Sequence, residues 1–187
     1  MNEEGKIRHL FLTGPVQTGK STIIRRFLKT TGLPPEQLGG FLSAVREEEE
    51  GKSRVHLVRP GVDETLDEQN CIMIRQPGRR EKREFPLIFP EVFDRRGVEL
   101  LRPEGNRALI LMDELGFAEE KAPLFKKTVL ETLDGETPVL GVLKKWSGEF
   151  LGRVAAHPRV TVLEINRDNR EDIFSLMAFV WKIKETT

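Results

Sequence analysis

The sequence predicts an α/β fold: a three-layer α/β/α sandwich built on a mainly parallel sheet, with antiparallel β-hairpins inserted into it. Three observations predict it. Four short apolar runs alternate with helical patterns, the arrangement of a parallel sheet covered on both faces. A glycine-containing loop, Gly14 to Ser21, joins the first run directly to the first helix. The stretch from Gly39 to about Phe89 departs from the alternation, with several short β-like runs between charged turns.

The first strand is IRHLFLT, before the loop, and the helix STIIRRFLKTTG begins at Ser21 and is stopped by Gly32, Pro34 and Pro35. Within residues 39–89 the β-like runs are GGFLSAV, RVHLVRP, NCIMIRQ and REFPLIF. Two turns between them, REEEEGKSR and QPGRREKRE, read as solvated loop tips. The second carries Arg75, Arg79, Arg80, Lys82 and Arg83, which could instead meet phosphates or RNA, although few aromatics interleave there. PEVFDRRGVELL, residues 90–101, predicts a helix starting at a proline.

The second core strand, RALILMD, ends at Asp113. A helix over 119–133 follows, with Leu124, Val129, Leu130 and Leu133 at helical spacing and Pro123 in an early turn. TPVLGVL ends the third strand near Leu143, and RVTVLEI ends the fourth near Ile165. All four are expected to be buried on both faces. A short helix over 149–157 and an amphipathic one over 170–184 complete the pattern.

A length of 187 residues suits one domain, residues 1–187, with an insertion of about residues 39–89. Thirty basic and thirty acidic residues cancel, so overall charge draws the chain to neither nucleic acid nor membrane. Cys71 is the only cysteine, which excludes an internal disulfide and suits a reducing cytoplasm. The N-terminal residues lack the basic start and apolar centre of a signal peptide, and no apolar run is long enough to span a bilayer. The expectation is a soluble cytoplasmic protein. His9, His56 and His157 fall in no metal-ligand spacing.

The loop GPVQTGKS is the strongest chemical signal. A polyphosphate is held by backbone N–H groups, so glycines keep side chains out of the way where the loop wraps round it. The expected binding residues are Gly14, Pro15, Val16, Gln17, Thr18, Gly19, Lys20, Ser21 and Thr22. Lys20 reaches the β/γ oxygens, Ser21 offers its hydroxyl to Mg²⁺, and the following helix adds the positive end of its dipole. Asp113, at the end of a buried strand, is a second magnesium ligand, and Glu114 is placed to orient and deprotonate an attacking water.

With these motifs in hand, the chain resembles the THEP1-type nucleoside-triphosphatases of bacteria and archaea, also found in animals as the cancer-related NTPase. The resemblance covers most of the length and rests on GPVQTGKST, GGFLSAVRE, LILMDELG, VLGVLKKW and EINRDNRED. It implies a P-loop NTPase fold and Mg²⁺-dependent hydrolysis of ATP, GTP and other nucleoside triphosphates with relaxed base preference. The chain agrees in having no small-GTPase Asn-Lys-x-Asp motif, since NRDN does not match. It departs from the family's Gly-x-x-Gly-x-Gly-Lys-Thr loop at Val16-Gln17-Thr18, and from Gly-Pro-Met-Glu after the Asp-Glu pair at Gly116-Phe117-Ala118-Glu119.

Phosphoryl transfer also needs positive charge on the terminal phosphate beyond Lys20 and the metal. Arg153, expected on a mobile lid helix, is the first candidate; Lys144, Lys145, Arg46 and Arg170 are the others. Asn169 is expected to shape a turn, and Trp146 and Phe117 to stack on a base or pack in the core. Two further readings remain open on sequence alone: a small nucleotide or nucleoside kinase with KKWSGEFLGR as lid, and a nucleotide-dependent RNA- or protein-binding module acting through QPGRREKRE.

Overall fold

The structure, a computed structural model, describes residues 8–76, 85–102, 105–145 and 148–181. Eight strands form one sheet in the order β5-β4-β3-β2-β6-β7-β1-β8. The parallel part comprises β1 (His9–Thr13), β6 (Leu109–Leu115), β7 (Val139–Leu143) and β8 (Val160–Glu164), together with the first residues of β2 (Leu38–Glu47). The antiparallel part continues through β3 (Ser53–Val58), β4 (Cys71–Arg75) and β5 (Leu87–Ile88).

The strand β2 belongs to both parts. Its Leu38–Phe41 portion pairs in parallel with β6, and its Leu42–Glu47 portion pairs antiparallel with β3. The expected insertion boundary at Gly39 therefore falls inside a strand. A continuous ladder satisfies the backbone groups of both parts without an intervening free edge.

The core strands read as unbroken apolar runs because alternate residues feed two different cores. Phe11, Ile110, Met112, Val139 and Leu143 join the core beneath α4 (Pro123–Asp134) and α5 (Glu149–Ala155). Leu10, Leu12, Leu109, Leu111, Leu140 and Val142 join the core beneath α1 (Lys20–Thr31) and α6 (Arg170–Val180). These are the two outer layers of the sandwich. The strand β8 differs from expectation: as the sheet's edge it is only half-buried.

The helix expected over 119–133 is divided. A 3₁₀ turn at Ala118–Lys121 precedes α4, and Pro123 stands at the start of α4 rather than inside it. Ala122 takes φ −111°, ψ 82°, as the residue before a proline is driven out of the helical region. The buried stripe of α4 is Phe125, Thr128, Val129 and Leu133, whereas Leu124 is 59% exposed. Over 90–101, α2 (Pro90–Val92) and α3 (Val98–Leu101) flank a π-helical segment, Phe93–Gly97.

His9, at the start of β1, ties the end of α4 and the start of β7 to that strand. Its Nε2 lies 2.9 Å from the Leu133 carbonyl, and its Nδ1 accepts the Val139 N–H at 3.1 Å. We assign the neutral tautomer protonated at Nε2, which satisfies both contacts. Burial lowers the pKa of His9 to about 4. Among the described residues no helix is long and apolar enough to cross a membrane.

Candidate active site

The loop after β1 and the start of α1 take the shape that anion binding requires. Gly14 and Gly19 stand at φ 137° and 95°, and Gln17, with a side chain, at φ 63°. A Cβ on Gly14 would lie 2.3 Å from the Ile165 carbonyl oxygen, so this position has both a conformational and a steric reason for glycine. Thr18 Oγ1 donates to the Pro15 carbonyl at 2.9 Å and braces the loop. The N-terminus of α1 has no side-chain cap and no acidic residue in its first turn. Its N–H groups and dipole are thus left to an external anion.

The Nζ of Lys20 folds back over this loop, donating to the carbonyls of Gly14 at 2.9 Å and Pro15 at 2.6 Å. Its pKa is lowered, first by burial and further by Lys144, against the attraction of Glu114. Gly14, Pro15, Val16, Gln17, Gly19, Lys20, Ser21 and Thr22 line a cleft of about 700 Å³, with Arg75, Glu114, Val142, Lys144 and Lys145 on its other walls. Thr18 is buried behind the loop. This is the candidate phosphate cleft.

The strand β6 runs through the expected pair and on to Leu115, rather than stopping at Asp113. Glu114 takes the left-handed conformation, φ 70°, and the pairing of β6 with β7 shifts register between Met112 and Leu115. This kink lets Asp113 and Glu114, adjacent in sequence, both reach one cavity. Asp113 Oδ2 accepts the Ser43 N–H at 3.3 Å, and the Ser43 hydroxyl donates to the Asp113 carbonyl at 3.0 Å. Burial raises the Asp113 pKa, with the Ser43 bond and the charges of Arg25 and Lys144 opposing it and Glu114 reinforcing it. Glu114 forms an ion pair with Lys144.

Beside the phosphate cleft lies a smaller one of about 210 Å³, which contains Ser21, Asp113 and Glu114 together with Arg25, Ser43 and Glu119. Mg²⁺ bound to a nucleotide takes one or two protein oxygens and completes its shell with phosphate oxygens and water. A hydroxyl and a carboxylate that share one cavity, the carboxylate held by a single long hydrogen bond, fit that ion.

Glu119 was not visible as a site residue from sequence. It is 3% exposed, and its Oε2 accepts the Gly116 N–H at 2.9 Å, closing the turn after β6. Burial pushes its pKa up to about 7. Its one signal was positional, a carboxylate at the end of the Gly116-Phe117-Ala118-Glu119 turn. Ser43 lies within GGFLSAVRE but was given no role there; the alternation of β2 turns it, with Val45, towards the smaller cleft.

The candidate cations separate. Lys144 and Lys145 line the phosphate cleft, Lys145 paired with Glu164. Arg170 packs its side chain against Gly19. Arg46 is held by the Leu66 carbonyl and Glu48, away from both clefts. Arg153 is exposed on α5 and lines neither cleft. That helix buries Phe150, Leu151 and Val154, so it is anchored in the core rather than free to swing as a lid. Asn169 bridges the turn between β8 and α6, donating to the Glu164 carbonyl and accepting the Asn166 N–H. Phe117 lines the smaller cleft beneath the Lys144 ammonium. Trp146, Arg79, Arg80, Lys82 and Arg83 lie outside the described residues.

Comparison with known proteins gives the family and the fold. The chain is 28% identical over 177 residues to the nucleoside-triphosphatase THEP1 of Thermotoga petrophila, covering 92% of each chain. It is 28% identical over 181 residues to the human cancer-related nucleoside-triphosphatase, covering 89% of this chain and 92% of the relative. The crystal structure of THEP1 from Aquifex aeolicus superposes with a TM-score of 0.66 at 15% identity, covering 93% of this chain and 99% of that one. The solution structure of a human cancer-related nucleoside triphosphatase gives 0.57 at 24%, covering 92% and 96%. These two superpositions carry the fold. A family model described as NTPase matches residues 9–177, from the first core strand into the last helix, and the chain belongs to that NTPase family.

Proposed function

We propose that this chain hydrolyses nucleoside triphosphates, ATP and GTP among them, to the diphosphate and inorganic phosphate, with Mg²⁺ as cofactor and relaxed base preference. The observation that carries the reading is Glu114, a carboxylate turned by its left-handed backbone into the cavity shared by Ser21 and Asp113 and onto the wall of the phosphate cleft. A base at this place serves water. The relatives' names, nucleoside-triphosphatase, agree with it.

In this mechanism the loop N–H groups and the α1 dipole hold the β- and γ-phosphates, and Lys20 exchanges its loop carbonyls for phosphate oxygens. Ser21 and Asp113 would hold Mg²⁺, which when bound supplies charge neutralisation on those oxygens. Glu114 takes a proton from the attacking water as its oxygen bonds to the γ-phosphorus, and the bond to the β–γ bridging oxygen breaks. That oxygen leaves with the diphosphate. Relaxed base preference rests on the absence of an Asn-Lys-x-Asp match in the sequence. The chain is read as one NTPase domain in which the hairpins of residues 39–89 extend the core sheet, working in the cytoplasm, where the lone buried Cys71 stays reduced.

One assay tests the reading. Purified protein is incubated with Mg²⁺ and ATP or GTP, and free phosphate is followed with and without nucleoside monophosphates and RNA. Phosphate released without any addition supports the hydrolase. Product formed only with an acceptor, and no free phosphate, would make the chain a kinase; release that depends on RNA would make it a nucleotide-dependent binding module.

A further inference from the structure

Four side chains line both clefts: Ser21, Arg75, Glu114 and Lys144. They mark the seam where, on the proposed mechanism, the terminal phosphate, its metal and the attacking water meet. Three have roles or partners already. Ser21 is a metal ligand, and Glu114 and Lys144 neutralise each other in an ion pair. The Arg75 side chain makes no hydrogen bond or ion pair among the described residues. Its charge is uncommitted at the point where charge on the leaving and transferring oxygens grows.

The other cations fit that task less well. Lys20 already serves the loop end of the phosphates, Lys145 is paired with Glu164, and Arg46 and Arg153 lie outside both clefts. Arg25 lines only the smaller cleft, where its charge acts on Asp113. Arg75 owes its place to the hairpin insertion. It is the last residue of β4 and follows Met73 on the same face of the strand; Met73 in turn stands opposite Val55 of β3. Met73 and Val55 are 4% and 3% exposed, so the strand end that carries Arg75 is packed in the core.

We propose that Arg75 is the catalytic arginine, supplied in cis by the antiparallel insertion, and that its guanidinium meets the γ-phosphate oxygens in the transition state. The proposal rests on the hydrolase reading above. A planar fork of N–H donors matches two phosphate oxygens at once, and a lysine at this position does not. It also gives the insertion a function: among the described residues, Arg75 is the one arginine that lines both clefts.

The experiment compares wild-type protein with R75A and R75K. Three quantities are read: kcat for phosphate release from ATP with Mg²⁺, Kd for a non-hydrolysable ATP analogue, and retention of ADP in the presence of Mg²⁺ and aluminium fluoride, which imitates the transferring phosphoryl group. The expected result is a fall in kcat of about 10³-fold in both variants, the lower end of the range for such arginines. Analogue Kd should stay within about 3-fold, and fluoride-dependent retention of ADP should disappear, as a residue acting in the transition state alone requires. R75K keeps the aliphatic stem and is the variant to read should R75A fail to fold. A kcat within about 3-fold of wild type overturns the proposal, as does a loss of analogue affinity as large as the loss of kcat/KM, which would make Arg75 an ordinary phosphate binder. Wild-type protein that releases no phosphate removes the hydrolase reading and this proposal together, whereas active wild type with an equally active R75A removes only this proposal.

Discussion

Lys144 and Glu114 form an ion pair across the neighbouring ends of β7 and β6, with Glu114 held at φ 70°. A side-chain-bearing residue in that region stores on the order of 1–3 kcal/mol of strain, found where a structure over-determines a functional side chain. The pair holds the Glu114 carboxylate against the Lys144 ammonium.

Replacing Glu114 by Gln keeps the shape and removes the proton acceptor. Phosphate release should fall by about 10²–10⁴-fold while nucleotide affinity changes little. Steady-state phosphate release beside equilibrium titration with a fluorescent nucleotide measures both. Undiminished release would take Glu114 out of the mechanism.

Gln17, where the resemblance leads one to expect a glycine, occupies a left-handed conformation, φ 63°, in which a glycine is free of steric cost. Gln17→Gly should therefore leave nucleotide binding intact and hold or raise stability, by up to about 1 kcal/mol, because relief of strain is partly offset by the entropy of an unfolded glycine. Gln17→Val, β-branched in the same place, should lose more than about 1 kcal/mol and weaken nucleotide binding. Equal behaviour of the two variants in thermal unfolding and nucleotide titration would contradict the strain argument.

Gly40 lies in the part of β2 that pairs with β6, at φ 80°, and a Cβ there would stand 1.9 Å from the Leu111 carbonyl oxygen. Neither strand can move without disturbing Asp113, two residues beyond Leu111. Gly40→Ala should cost about 3 kcal/mol or more, a fall in unfolding midpoint of roughly 6–12 °C for a chain of this size. Differential scanning calorimetry reads it directly; a midpoint within about 2 °C of wild type would mean that the strands give way easily.

Burial of Glu119 makes stability depend on pH in a definite direction. Its pKa rises from the ordinary carboxyl value of 4.5 to about 7 on folding, so between those values the folded protein holds a proton that the unfolded chain releases. Stability from this group is full below about pH 4.5 and is lost as pH rises through about 7. His9 acts oppositely: with its pKa lowered from 6.5 to about 4, the unfolded chain binds the proton first, and stability is lost as pH falls through that window. The two partly cancel in wild type. Glu119→Gln keeps an acceptor for the Gly116 N–H and removes one titration, so its unfolding midpoint relative to wild type should rise between pH 5 and pH 8. A difference that stays constant across that range would show that Glu119 does not titrate as its burial requires.

The order of α and β elements and the phosphate loop were legible in sequence because they depend on local spacing: apolar runs of strand length, a glycine loop between strand and helix, and a Pro or Gly at helix ends. Asp113 and Glu114 were legible for the same reason, as the polar end of an apolar run. Other features were decided by partners far away in the chain. The strand β8 is half-buried because, among the described residues, no strand pairs with its outer side, and α4 starts at Pro123 because the residue before it is driven out of the helical region. Leu124 is exposed although its spacing suited a core face, since the core takes Phe125 instead.

The same division runs through the site. Composition and spacing alone pointed to the glycine loop, the Ser21 hydroxyl and the Asp113-Glu114 pair as candidate site groups. Only the tertiary structure brought Ser43, Arg75 and Glu119 to those groups and left Arg153 and Arg46 outside, because it set the strand order that places β2 beside β6 and the register that aims the end of β4 at the phosphate cleft. A one-residue slip in either pairing would turn those side chains to the other face, and no local pattern in the sequence records which register wins.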